Sequence, residues 1–185
     1  THRRLRRTKY IRDLVAETTL RPADLIQPFF VVDGQGVREE ILTLPGNYRL
    51  SKDILIDKAK EARDLGIKFI VLFPKIEQSL KSADGDYAIN PQNFIFSVIA
   101  ELKAKVPDMG IIADVALDPY TLSGHDGILD RAGLVDNRKT VEMLGKMSCA
   151  LAASGVDVVA PSDMMDQRVG FIRDALLKEG HEYTL

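Results

Sequence analysis

The chain has 185 residues, a formal net charge of −2, and 45% hydrophobic and 28% charged residues, the composition of an ordinary globular protein. One domain of this length can bury a sizeable core, and its near-neutral charge gives no general electrostatic case for binding nucleic acid or an anionic membrane. With one cysteine, Cys149, the chain can form neither an intrachain disulfide nor a thiolate zinc site. No apolar run approaches the roughly 20 residues of a membrane span, and no signal-peptide pattern opens the chain, so we expect a cytoplasmic protein.

The first twenty residues differ from the rest in charge. Six basic side chains precede the first acidic residue, Asp13. They are Arg3, Arg4, Arg6, Arg7, Lys9 and Arg12. Only one aromatic residue, Tyr10, lies among them and no nucleic-acid-binding module surrounds them, so contact with nucleic acid is the weaker interpretation. We predict that residues 1–20 form a basic arm that packs on a neighbouring subunit, and that residues 21–185 form the folded domain.

Beyond the arm, strand and helix patterns alternate with short connections, which predicts parallel β/α units. In chain order the predicted elements are strand 25–32, helix 52–65 after the N-cap candidate Ser51, strand 69–73, loop 79–92, helix 93–105, strand 110–115, loop 119–137, helix 140–154, strand 156–160, helix 167–178 and the opening of a fifth strand at 181–185. Four β/α units and a stub amount to half of an eight-stranded barrel, which needs about 250 residues. We therefore expect an α/β chain that supplies the first half of a TIM-type (β/α)8 barrel and is either truncated or incomplete.

Polar side chains follow two of the predicted strands directly. Asp114, Asp118 and Asp126 come at and after the end of the third strand, and Ser162 and Asp163 follow the fourth. Active sites of α/β enzymes lie at the carboxyl ends of parallel strands. These two clusters are therefore predicted to form one site.

Several stretches of the chain resemble the porphobilinogen synthase (5-aminolevulinate dehydratase) family. They are residues 24–31, 45–51, 72–74, 90–91, 114–121, 124–129 and 160–166. The resemblance runs in order through essentially the whole chain. It implies a TIM-barrel lyase of tetrapyrrole (haem) biosynthesis that condenses two molecules of 5-aminolevulinate to porphobilinogen with loss of two waters. It also implies a homo-oligomer, often an octamer, in which the N-terminal arm wraps an adjacent subunit.

The resemblance gives roles to the residues at the strand ends. Asp114 matches an active-site aspartate, expected to act as a general acid/base or to orient the substrate amino group. Ser162 matches an active-site position whose hydroxyl contacts the substrate or polarises water. On spacing alone, Asp114 could instead cap a loop and Ser162 could cap the following helix. Asp118, Asp126 and Asp163 are expected to bind substrate.

Metal binding in the resembled family depends on the positions of Ala116, Asp118 and Asp126. Zinc-dependent members carry three cysteines there, whereas carboxylates favour magnesium or another hard cation. The chain thus resembles the aspartate-rich, magnesium-type branch, with no zinc expected. Two interpretations stay open: Asp118 and Asp126 form a weak Mg2+ site, or they only accept hydrogen bonds from the substrate amine. The family's stimulatory magnesium site maps mainly outside these residues.

The two Schiff-base lysines of the family lie beyond Leu185, so the 185 residues alone are predicted to be inactive. A first alternative is a class I aldolase-like half-barrel that uses Lys75, which follows the second strand. A second alternative is a non-catalytic fragment that retains only self-association.

The turn after the fourth strand departs from the family pattern. The family usually has Gly-Arg after Met164-Met165-Asp166, but this chain has Gln167-Arg168. If that position needs a positive φ, glutamine costs roughly 1 kcal/mol, whereas in the first turn of a helix it costs little. Asp166 is predicted to cap the helix that follows.

Overall fold

The computed structural model describes residues 2–185, which form one six-stranded sheet covered by helices. In chain order the strands are β1 (Ile26–Val31), β2 (Arg38–Glu40), β3 (Tyr48–Leu50), β4 (Phe69–Pro74), β5 (Gly110–Val115) and β6 (Val158–Pro161). The helices are α1 (Lys9–Leu14), α2 (Lys52–Asp64), α3 (Phe94–Lys105), α4 (Asn137–Ser154) and α5 (Arg168–Lys178). The strand order is β2-β3-β1-β4-β5-β6, in which only the β2–β3 pair is antiparallel. The four predicted β/α units are confirmed.

The two faces of the sheet differ because side chains alternate along a strand. In β5, Ile111, Ala113 and Val115 are buried in the core with the helices, whereas Ile112 and Asp114 point to the opposite face and are only partly buried. β4 repeats the pattern, with two buried residues alternating with partly exposed ones. Asp114 therefore stands at the C-terminal end of a partly exposed apolar face.

The helices follow from apolar spacing and from their caps. The buried residues of α3 recur at helical intervals and are Ile95, Val98, Ile99 and Leu102. The Asn93 side chain caps this helix by accepting a hydrogen bond from the Ile95 N–H. α4 begins at Asn137, three residues before its predicted start, because the Asp136 carboxylate accepts a hydrogen bond from the Lys139 N–H at 3.1 Å.

The start of β6 is tied to its neighbours by one carboxylate. Asp157 accepts a hydrogen bond from the Ile111 N–H of β5 at 2.7 Å. The same carboxylate lies 2.9 Å from the Lys103 ammonium of α3. These contacts hold β5, β6 and α3 together at the end of the sheet opposite the predicted site.

Three parts of the chain differ from the prediction. The hairpin of β2 and β3 was not predicted, because three-residue strands carry too little alternation to be recognised. The predicted loop 79–92 contains two short 3-10 helices, Gln78–Leu80 and Asp86–Ile89. The predicted opening of a fifth strand at 181–185 is limited to its last residue: Leu185 pairs in parallel with β6, through Val159 N–H to Leu185 O at 2.9 Å and Leu185 N–H to Asp157 O at 3.0 Å.

The turn before α5 is strained. Gln167 has φ 62 and is the only non-glycine residue with a positive φ among residues 2–185. The predicted cost of glutamine in this conformation therefore applies. The prediction that Asp166 caps α5 is wrong, since the cap position is Gln167 and no side chain caps the helix. Within residues 2–185, no helix is both long and apolar enough to cross a membrane.

Replacing Gln167 with glycine should raise the free energy of unfolding by about 1 kcal/mol, because glycine adopts a positive φ without steric cost. Gln167→Ala is the matched control, since alanine keeps the Cβ that causes the strain. Urea denaturation of both variants measures the difference. Equal midpoints for the glycine and alanine variants would show that the strain is not there.

Candidate active site

The C-terminal ends of β5 and β6 bring together the two residues that the sequence assigns to catalysis. The strand register pairs Asp114 with Ala160 and Val115 with Pro161. The Ser162 N–H continues the ladder to Val115 O at 3.4 Å. The Ser162 hydroxyl donates to Asp114 Oδ1 at 2.6 Å, so residues 48 positions apart in sequence are in direct contact. Neither side chain serves as a cap, contrary to the alternative interpretations of both.

The surroundings of Asp114 favour its protonated form. Burial raises the pKa of this carboxyl above its ordinary value, and the nearby carboxylates of Asp118 and Asp163 raise it further. The hydrogen bond from Ser162 acts in the opposite direction but does not cancel the rise. A carboxyl that binds its proton more tightly and faces a hydroxyl is suited to moving protons or orienting an amine.

Asp118 and Asp126 approach each other in the loop after β5. Burial raises the pKa of the Asp118 carboxyl, the charge of Asp126 raises it further, and the Lys81 ammonium lowers it. His125 is a turn residue here: its Nδ1 accepts a hydrogen bond from the Gly127 N–H at 2.9 Å and lies 2.9 Å from Asp126 Oδ1. Residues 2–185 contain no group of three or more His, Cys, Asp or Glu side chains placed to hold a metal ion. Asp118 and Asp126 thus do not make a complete metal site on their own.

Asp163 is the most buried carboxylate of the site and has its own counter-ion. It is 2% exposed, and its Oδ1 accepts a hydrogen bond from the Met165 N–H at 2.7 Å. Arg168 Nε lies 3.1 Å from Asp163 Oδ2, although the two atoms are not aligned for a hydrogen bond. The Arg168 guanidinium also donates to Met165 O. Asp163 is therefore held inside the turn between β6 and α5, next to Ser162.

A cavity of about 360 Å3 opens beside Asp114 and Asp118. Its other lining residues are Phe30, Arg49, Phe73, Pro74, Lys75, Ile76, Lys81 and Pro119. The cavity therefore has two carboxylates, three cations and an apolar, partly aromatic floor. A larger groove of about 630 Å3 lies between α4 and α5 and includes Cys149. Burial raises the pKa of that thiol, so it is a poor nucleophile.

Lys75 lies in the cavity but lacks the setting of a Schiff-base lysine. Its ammonium is 3.6 Å from a Glu39 carboxylate oxygen and 3.7 Å from one of Glu77, and its side chain is 40% exposed. Two carboxylates beside an exposed ammonium are not the desolvated setting that activates a Schiff-base lysine. The aldolase-like alternative has no support in this geometry.

Sequence reasoning missed two charged residues of the site. Arg168 stands out in the sequence only as part of a family pattern, although its position five residues after Asp163 could have indicated a pair. Lys81 was not singled out, because nothing in its neighbourhood along the chain shows that its loop meets the loop of Asp118.

Asp114→Asn should raise the urea midpoint of the chain at pH 7 and leave it nearly unchanged near pH 3. Because the folded-state pKa of Asp114 is raised, its contribution to stability is complete below the ordinary value of 3.8 and is lost as the pH rises through the folded pKa. An amide resembles the neutral carboxyl and avoids that loss.

Ser162→Ala is the companion variant, since it removes the hydrogen bond that opposes the rise in the pKa of Asp114. Its midpoint at pH 7 should fall. A pH-independent difference between Asp114→Asn and the unaltered chain would contradict the raised pKa.

Comparisons with known proteins extend over the whole chain. The family model for delta-aminolevulinic acid dehydratase matches residues 1–185. The delta-aminolevulinic acid dehydratase of Chlamydia pneumoniae is 46% identical over 182 residues, which are 98% of this chain and 54% of that protein. The chloroplastic delta-aminolevulinic acid dehydratase of Selaginella martensii is 48% identical over 183 residues, 98% of this chain and 44% of that protein. The chain thus spans about half the length of these curated relatives.

A solved structure agrees with the fold. It is the crystal structure of delta-aminolevulinic acid dehydratase (porphobilinogen synthase) from Toxoplasma gondii in complex with the reaction product porphobilinogen, and it superposes with a TM-score of 0.95 at 42% identity. The match covers 99% of this chain and 52% of that chain. Taken with the parallel β/α units and the acidic strand ends, these matches establish that the chain belongs to the delta-aminolevulinic acid dehydratase family.

Proposed function

We propose that this chain forms one wall of the active site of a porphobilinogen synthase, which condenses two molecules of 5-aminolevulinate to porphobilinogen with loss of two waters. The observation that carries the proposal is the 2.6 Å contact between the Ser162 hydroxyl and Asp114 at the strand ends. It falls in a fold that superposes closely on a relative solved with porphobilinogen.

In this proposal Asp114 and Ser162 handle protons and orient the substrate. The carboxyl of Asp114, with its raised pKa, can give a proton to a departing hydroxyl group, which leaves as water, or take one from carbon or nitrogen. Ser162 holds the carboxyl in place through its hydrogen bond to Asp114. The amine nucleophiles for Schiff-base formation are, by family resemblance, lysines beyond Leu185.

Asp118 and Asp126 complete the acidic rim, whereas Asp163 is buried beside Ser162 and paired with Arg168, so we keep it as a supporting residue of the substrate site. We assign Asp118 and Asp126 to the substrate amine, since their charges lie near the cavity that Asp118 lines. Their presence where zinc-dependent members carry cysteines supports the magnesium-type branch. A magnesium ion there would need further ligands besides these two carboxylates, and we derive no catalytic step through it.

The first test compares two polypeptides. One is residues 1–185. The other, called the completed chain below, is residues 1–185 joined to the part of the Chlamydia pneumoniae relative that follows the matched region. We expect the completed chain to form porphobilinogen from 5-aminolevulinate and residues 1–185 alone to show no turnover, because carbonyl condensation needs the lysine amines. Turnover by residues 1–185 alone would place the nucleophiles elsewhere.

The catalytic role of the two strand-end residues is tested with Ser162→Ala and Asp114→Asn in the completed chain. Asp114→Asn should lower kcat by roughly 100-fold, the effect of losing a general acid/base, and Ser162→Ala should lower it less because the carboxyl remains. Product formation by both variants at the unaltered rate would remove these residues from catalysis.

We propose 5-aminolevulinate as the substrate and the cytoplasm as the location. We further propose that the basic arm joins copies of the chain in a homo-oligomer. The support is that α1 and the 3-10 helix His2–Arg6 contain no buried residue. Large apolar side chains of the arm are exposed instead, including Leu5, Tyr10, Leu14 and Leu20. A short helix without tertiary packing is marginal in water, so its stability must come from another surface.

Deleting residues 1–20 from the completed chain should lower its assembly state in analytical ultracentrifugation. Replacing Leu5, Tyr10 and Leu14 with serine should have the same effect if apolar contacts carry the association. Replacing Arg3 and Arg4 with serine tests the charges separately. An unchanged sedimentation coefficient after the deletion would contradict the role of the arm.

A further inference from the structure

The loop after β5 is anchored at Thr121 before it reaches Asp126. Ser82, in the loop after β4, forms an isolated parallel bridge with Thr121. The bonds of this bridge are Ser82 N–H to Tyr120 O at 3.2 Å and Leu122 N–H to Ser82 O at 2.9 Å. The Thr121 side chain is buried, with 1% of the residue exposed. Thr121 is therefore a fixed point from which the rest of the loop can be held.

The hydroxyl of Thr121 closes the turn that leads to Asp126. It donates a hydrogen bond to His125 O at 2.8 Å. The Gly124 N–H donates to Thr121 O at 3.3 Å and closes the same turn from the main chain. Because a peptide bond is planar, holding the His125 carbonyl also fixes the plane of the peptide that joins His125 to Asp126.

The chain on the other side of Asp126 is fixed by packing. A Cβ added at Gly127 would lie 2.7 Å from Val135 Cγ1 and 3.1 Å from Met165 Cε. Met165 belongs to the turn after β6, so the glycine lets the two loops approach closely. Asp126 thus lies between the contact from Thr121 and the close approach at Gly127.

Asp126 needs this support because it lies near another carboxylate. Its side chain is only 19% exposed, and its charge raises the pKa of Asp118. Two carboxylates at one site repel each other, and partial burial weakens the screening by water. A loop without internal contacts would move Asp126 away from Asp118 and from the cavity beside it.

We infer that Thr121 is a positioning residue for Asp126: its hydroxyl fixes the peptide between His125 and Asp126 and so orients the Asp126 carboxylate toward the substrate amine. The inference rests on the proposed function, which assigns Asp126 to that amine. Thr121 does not line the cavity and takes no part in bond making or breaking.

The test uses the completed chain with 5-aminolevulinate as the probe. Thr121→Val keeps the branched shape of the side chain and removes the hydroxyl. It should raise KM about fivefold, the effect of losing one hydrogen bond, with kcat within about twofold, because binding of the amine weakens. Thr121→Ser keeps the hydroxyl and should keep KM within about twofold of the unaltered value. If Thr121→Val does not fold, Thr121→Ala takes its place, since it also lacks the hydroxyl.

Ser148→Ala is the matched control. Ser148 has a buried hydroxyl that donates to Leu144 O at 2.8 Å within α4, and it does not line the cavity. This variant should leave KM unchanged. Circular dichroism and melting of each variant check that the fold is kept.

A double-mutant cycle separates the positioning of Asp126 from a general loss of structure. In an Asp126→Asn background, Thr121→Val should change KM by less than about twofold, because the residue through which it acts has already lost its charge. The same rise in KM in both backgrounds would overturn the inference while the proposed function stands. A KM for Asp126→Asn equal to that of the unaltered chain would overturn it as well, by removing Asp126 from the amine site. If the unaltered completed chain does not convert 5-aminolevulinate, the inference and the proposed function fail together.

Discussion

The register between β5 and β6 is the constraint on which the site depends. Parallel pairing places Asp114 opposite Ala160, and the next residues along β6 carry the chain to the Ser162 hydroxyl. A slip of one residue would turn Asp114 toward the helices, because side chains alternate between the faces of a strand. Asp157 fixes this register from the far end of the strands by binding the Ile111 N–H and the Lys103 ammonium. The sheet thus fixes the positions of Asp114 and Ser162, and the loops supply the other side chains of the site.

The turn between β6 and α5 has two unusual features within five residues. Asp163 is buried with Arg168 as its counter-ion, and Gln167 holds a positive φ. Removing one partner of a buried ion pair leaves an uncompensated charge, which is costly. Strain of this kind persists only where the surroundings fix the backbone. The contacts of Asp163 with Met165 and Arg168 supply that fixing, immediately after the serine that faces Asp114.

The sequence was sufficient to predict the features to which many residues contribute. Apolar runs predicted β1, β4, β5 and β6, and helical spacing predicted α2 to α5, because burial repeats along each element. The pairing of Asp114 with Ser162 could be predicted since both lie at the carboxyl ends of parallel strands. Features set by a few distant contacts could not be predicted. Lys81 reaches the cavity through a bridge from Ser82 to Thr121, and no local pattern encodes that bridge.

Prediction from the sequence also failed for the start of α4 and for the strands β2 and β3, which depend on a few local residues. A single cap at Asp136 extends α4 by one turn, and three-residue strands are too short to show alternation. The predicted cap at Asp166 failed for a related reason. The residue was judged by its type and position, whereas the left-handed backbone at Gln167 decides where α5 begins.

The edges of the sheet are chemically unequal. At one edge, β2 consists of three exposed charged residues, Arg38, Glu39 and Glu40, which discourage pairing with another strand. At the other edge, β6 is apolar and only Leu185 bonds to it. The apolar edge of β6 therefore favours the addition of a further strand that starts at Leu185. The charges of β2 disfavour the addition of a strand from another molecule at the first edge.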